Sequence, residues 1–152
     1  MARFNFRLQQ YLGVKEQIED QKELEYSKAI RKLEEEKNLL RQMNEQRNRQ
    51  IEEMRAAVLN AIDPVEIRNL NNSIERLKNH IKQQEERIKA AEAFAEKKRL
   101  ELVEAMKERK ALEIVRDNAR EQFIKEELLA EQKQVDELIS YKYKEARDDR
   151  SG

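Results

Sequence analysis

The side chains that most often perform reactions are scarce in this sequence. His80 is the only histidine in 152 residues, and there is no cysteine. An isolated imidazole with no second ligand, nucleophile or orienting group beside it has no means of acting as a general base or metal ligand. Aspartate and glutamate are plentiful at 32. They are spread along the chain and not gathered where a concave, dry pocket could shift their acidity. No glycine-rich loop is present to cradle a phosphate. The expectation is a protein that is not an enzyme, has no catalytic residue, binds no metal and carries no cofactor of its own, and that acts by contact.

The elements that would present such contacts follow from the near absence of chain breakers. Pro64 is the only proline, and Gly13 is the only glycine before the C-terminal residue. Around the proline, Ile62-Asp63-Pro64-Val65-Glu66-Ile67 fits an N-cap aspartate, a proline at the first helical position and a glutamate placed to complete a capping box. Ile62 and Ile67 flank this cap at the spacing of a hydrophobic staple. A helix therefore starts near residue 64 and the preceding one stops just before it.

Composition agrees with two long helices. Charged residues make up 42% and hydrophobic ones 38%, with a mean hydropathy of -1.06, which is too few apolar side chains for a large core. Such a composition is compatible with disorder as well. Balanced charge, the dominance of helix formers and a periodic apolar pattern favour ordered helices.

That pattern has steps of three and four. Tyr26, Ala29, Leu33, Glu36, Leu40, Met43, Arg47, Gln50, Met54, Ala57 and Ala61 form one series, in which eight of eleven are apolar. Ile67, Leu70, Ile74, Leu77, Ile81, Gln84, Ile88, Ala91, Ala95, Lys98, Leu102, Ala105, Arg109, Leu112, Arg116, Ala119 and Phe123 form the second, in which thirteen of seventeen are apolar. Both are coiled-coil seams with polar interruptions. The polar members either fix register or reach from a thin seam to water, and the second account is preferred.

The fold expected is all-α: a long two-helix antiparallel coiled-coil hairpin forming a single domain over 1–152. Helix 1 covers about 4–61, the turn about 62–63 and helix 2 about 64–145. Antiparallel counting places Ala61 by Ile67, Tyr26 by Leu102 and Phe4 by Phe123 or Ile124. At a rise of about 1.5 Å per residue the helices would reach roughly 90 and 120 Å, so the second overhangs at its C-terminal end. That overhang retains Leu128, Leu129, Val135, Leu138 and Ile139, which suit either a surface for another protein or a helix that orders in an oligomer. The best-filled seam, Ile67 to Ile81, adjoins the turn, and the open end is expected to be looser.

No apolar run is long enough to span a membrane, and the start Met1-Ala2-Arg3-Phe4-Asn5-Phe6 lacks a secretory h-region. A cytoplasmic protein is expected. With 32 basic against 32 acidic residues, no nucleic-acid partner is expected from overall charge.

The ends carry a resemblance. Arg3-Phe4-Asn5-Phe6-Arg7-Leu8-Gln9-Gln10-Tyr11-Leu12, then Val14-Lys15-Glu16-Gln17 and Ala29, resembles the opening of the flagellar export protein FliJ family. Glu108-Arg109-Lys110-Ala111-Leu112-Glu113 and Glu131-Gln132-Lys133-Gln134-Val135-Asp136-Glu137 are similar to that family's C-terminal pattern. The Asp63-Pro64 turn and the length also agree.

The resemblance implies a non-catalytic part of the flagellar type III export apparatus, and hence of motility. Such a protein is the central stalk of the hexameric export ATPase (FliI-like), linked to the export gate protein (FlhA-like) and to export chaperones, cytoplasmic and peripheral to the membrane-embedded apparatus. The alternatives are a generic coiled-coil tether or scaffold, or the stalk of an injection-type secretion system. By this analogy the open end enters the ATPase ring, where Phe4, Phe6, Arg7, Leu129, Lys133 and Val135 are the expected contacts. The gate contact carries over to Leu39, Leu40, Met43 and Arg47 in the first helix and Ile74, Leu77, His80 and Gln84 in the second. Other members have aromatic residues in that region, and this chain has none between Tyr26 and Phe94.

Overall fold

The turn organises everything else. In the computed structural model, which describes residues 2–151, α1 spans Gln9–Leu59 and α2 spans Pro64–Ser151. The C-terminus of α1 closes in a Schellman motif. The Ile62 N–H donates to the Ala57 carbonyl at 3.1 Å and the Ala61 N–H to the Val58 carbonyl at 3.3 Å. Ala61 takes the left-handed conformation this requires, with φ 52°. The start of α2 follows at once. The Val65 N–H donates to Asp63 Oδ1 at 3.0 Å, and the Glu66 and Ile67 N–H groups donate to the Asp63 carbonyl. Asp63 is thus the N-cap and Pro64 the first helical residue, as the sequence predicts.

The protein is 93% helical, with two helices packed on each other and no strand among the described residues. It is an antiparallel hairpin whose residues fall into two compact units, one of residues 2–17 with 106–151 and one of Ile18–Ala105.

In the unit of residues 18–105, cross-helix partners run in opposite directions along the two chains. Lys22 meets Glu101, Glu25 meets Lys98, Glu36 meets Gln84 and Gln50 meets Ser73. Ala29, Leu33 and Ala57 from α1 are buried against Ile74, Leu77, Ile81, Ile88 and Ala95 of α2. All of these are seam positions, so the three-four rhythm selects the inward face.

The turn shifts the register from the one expected. Four residues, 60–63, leave the helices in place of the two predicted, and Ala61 leaves the seam to become an exposed turn residue. Pairing is consequently centred between Ala61 and Ile62, and Tyr26 lies at the level of the Glu25–Lys98 pair, about one helical turn from Leu102.

In the unit of residues 2–17 and 106–151, the Phe4 and Phe123 rings meet with centroids 5.6 Å apart, as antiparallel counting predicts. Leu12 is fully buried and Phe6 is 9% exposed. The first helix begins at Gln9 and not near residue 4, because residues 2–6 approach it in non-helical form, with the Gln9 N–H on the Phe6 carbonyl at 3.1 Å. The second helix runs past the expected residue 145 to Ser151. Every residue from 128 to 151 is exposed, which is the C-terminal overhang.

Candidate functional site

The surfaces are built from polar layers within the seam and apolar groups outside it. Gln84 is 1% exposed. Its Nε2 donates to the Glu36 backbone carbonyl at 3.0 Å and to the Glu36 carboxylate. Lys32 closes on the same carboxylate at 2.9 Å, and Lys32 and then Gln84 hold the Glu36 carboxyl below the ordinary range. Gln84 therefore does not reach out to water. It is a cross-helix polar contact of the kind that selects register, although its Oε1 has no partner.

Further along the same unit, Lys22, Glu25, Lys98 and Glu101 form a closed ring of alternating charge with N···O distances of 3.3 to 3.6 Å. Lys98 is raised chiefly by its bond to Glu101, and Glu101 is lowered chiefly by Lys98. Glu25 is lowered first by the Gln21 amide and then by Lys98. In the other unit Lys15 bonds Glu108 at 2.9 Å, which holds its ammonium above the ordinary lysine range, and lies 5.1 Å from the Tyr11 ring centroid.

Lys15 in one unit, and Glu19 and Lys22 in the other, are half-buried charged residues of α1, a feature that an apolar pattern does not reveal. Within the unit of residues 2–17 and 106–151 the open end is not simply loose, since Leu12 and Phe6 are buried there.

The eight residues carried over to a gate contact have different environments. Ile74, Leu77 and Gln84 are buried, Leu40, Met43 and Arg47 are half-buried, and Leu39 and His80 are exposed. The prominent apolar surface near the turn is instead a groove of Ile51, Met54, Val58 and Leu59 beside Arg55. Leu59 is 85% exposed there. Sequence reasoning passed over it because Val58 and Leu59 fall outside the seam rhythm.

Of the six residues expected at the ATPase, Arg7, Leu129, Lys133 and Val135 are exposed. Phe4 and Phe6 also pack within the chain. Phe4 is half-buried on Phe123 and Phe6 is buried.

No group of three or more His, Cys, Asp or Glu residues among those described could hold a metal ion. Nor is any described helix long and apolar enough to cross a membrane.

An antiparallel helical hairpin with an exposed apolar extension defines a protein whose surfaces lie along its helices. The family model described as flagellar FliJ protein matches residues 4–148, and the chain belongs to that family. It is a component of flagellar protein export. No curated protein and no solved structure matches the chain.

Proposed function

We propose that this chain is the non-catalytic central stalk of the hexameric flagellar export ATPase, that it works as one hairpin domain, and that it links the ATPase to the export gate and chaperones. The observation that carries the proposal, beside family membership, is the exposed end of α2, where Leu128, Leu129, Val135, Leu138 and Ile139 have no cover from α1. An asymmetric helix pair inside a ring of identical subunits contacts them unequally and biases their nucleotide states by differential affinity. Arg7, Leu129, Lys133 and Val135 form the ring contact, and Phe4 holds the N-terminal segment against Phe123 of α2. Towards the gate, Leu39 and His80 are the accessible contacts, and Ile74, Leu77 and Gln84 hold the helices that present them.

The test is stimulation of a purified cognate export ATPase by wild type and by a variant carrying Arg7→Ala, Leu129→Ala and Lys133→Ala. Helicity is checked by circular dichroism. The variant should remain helical and need about tenfold more protein for half-maximal stimulation, the loss expected when a few interface anchors are truncated. Stimulation equal to wild type removes these residues from the contact. A wild type that neither binds nor stimulates leaves the chain a coiled-coil tether.

A further inference from the structure

Within the unit of residues 2–17 and 106–151, α2 has two distinct faces. Leu112, Arg116 and Phe123 are half-buried, and Phe123 lies on Phe4. Ile124, Leu128, Val135 and Leu138 follow a three-four rhythm of their own and are 49% to 61% exposed. At about 100° per residue their stripe is turned about 100° from the half-buried face, so it is not the face laid on α1. The same series runs on through charged positions: Asp117 and Glu121 before the apolar centre, Glu131 within it and Lys142 after it, all exposed.

We propose that this stripe pairs with the same stripe of a second copy, the two helices antiparallel about a two-fold axis near residues 129 and 130. The charges select both partner and direction. A parallel, in-register pair sets Asp117, Glu121, Glu131 and Lys142 each against its own copy, four like-charge layers. Reversing one helix removes all four. Ile124 then faces Val135 of the second copy, and Asp117 faces Lys142, each contact occurring twice by symmetry. Glu121 and Glu131 fall opposite Leu138 and Leu128, so no carboxylate opposes another. An apolar centre with acid at one end and a lysine at the other is complementary to its own reverse.

The pairing is independent of the stalk function but bears on it. It covers Val135, so self-association and ring docking through that residue exclude each other, and the free chain has a capped resting state.

Sedimentation equilibrium of the purified full chain across a wide concentration range tests this. Wild type should show a reversible monomer–dimer equilibrium. Lys142→Glu and Asp117→Lys should each weaken the dimer about tenfold, because every change replaces an attraction with a repulsion at two symmetric places. The double variant should return to within about threefold of wild type. Leu128→Gln should weaken dimerisation irrespective of charge. All three positions are exposed in the monomer, so unchanged helicity is expected throughout. A wild type that stays monomeric overturns the proposal, and if Leu128→Gln then weakens ATPase binding the stripe belongs to the ring. A dimer indifferent to Lys142→Glu, or a double variant without rescue, overturns it as well.

Discussion

Replacing Ile81 with alanine should destabilise the seam at a well-buried position. Ile81 is 4% exposed, with buried Leu77 and Gln84 on the adjacent turns of α2 and Ile74 and Ile88 one heptad away. The substitution deletes three carbons, and at about 0.8 kcal/mol per buried methylene the lost transfer energy is about 2 kcal/mol. A cavity term is added to this in closed cores. Here two helices leave solvent on both flanks, so water and neighbouring side chains fill much of the gap, and the total should be about 2–3 kcal/mol. For a chain of this length that corresponds to a fall in Tm of about 5–10 °C. Leu129→Ala is the control. Leu129 is 65% exposed, and its loss should alter stability by less than about 0.5 kcal/mol. Thermal and urea melts followed by circular dichroism on both variants decide the matter. Equal destabilisation at the two positions would refute the inference that burial in the seam, and not helix length, stabilises the fold.

Three further outcomes are expected. Ala61→Gly relieves a left-handed alanine, worth about 1–2 kcal/mol, against the extra unfolded-state entropy of glycine, so urea melts should show a net gain of about 0.5–1 kcal/mol. Asp63→Ala removes the N-cap bond to Val65 and should cost about 1 kcal/mol in the same assay. The charge ring sets a pH window: the lowered Glu25 and Glu101 stabilise above their unfolded values near pH 4 and lose this as pH falls through their folded ones, while the raised Lys98 loses its share only above about pH 10. Tm should therefore be flat between those limits and fall on acidification, with a smaller fall in a Glu25→Gln, Glu101→Gln variant, and a fall of the same size in that variant would remove the ring from the account.

The sequence made the helices and their inward faces legible because period and breakers act locally. Pro64 with Asp63 fixed one helix start, and of the seam positions named only Ala61 and Ala119 are exposed. What it hid depends on geometry across the pair. The charged stretch of Lys15, Glu19 and Lys22 reads as solvated surface until a second helix brings Glu108 and Glu101 to it. Gln84 looks like a side chain reaching for water until the Glu36 carbonyl is found within bonding distance. The register slipped because a Schellman loop needs four residues, and alanine at its left-handed position carries no glycine signal. The Phe4 contact was legible only by counting back from the turn to Phe123, and nothing in the local pattern marks Phe6 as buried.

The capped turn also dictates an order of events during folding. All of its hydrogen bonds are local, so it can form before any distant contact exists. From there the cross-helix partners close ever longer loops: Gln50 to Ser73 spans 23 residues, Glu36 to Gln84 spans 48, Lys22 to Glu101 spans 79 and Lys15 to Glu108 spans 93. Closing the longest directly from the unfolded chain costs about 1.2 kcal/mol more than the shortest, two doublings of loop length. Zipping outward from residues 60–63 replaces each of those closures by a step of a few residues. A newly made chain can begin this as soon as the first turns of α2 have emerged, and the N-terminal segment waits for its partner until residue 123 has been synthesised.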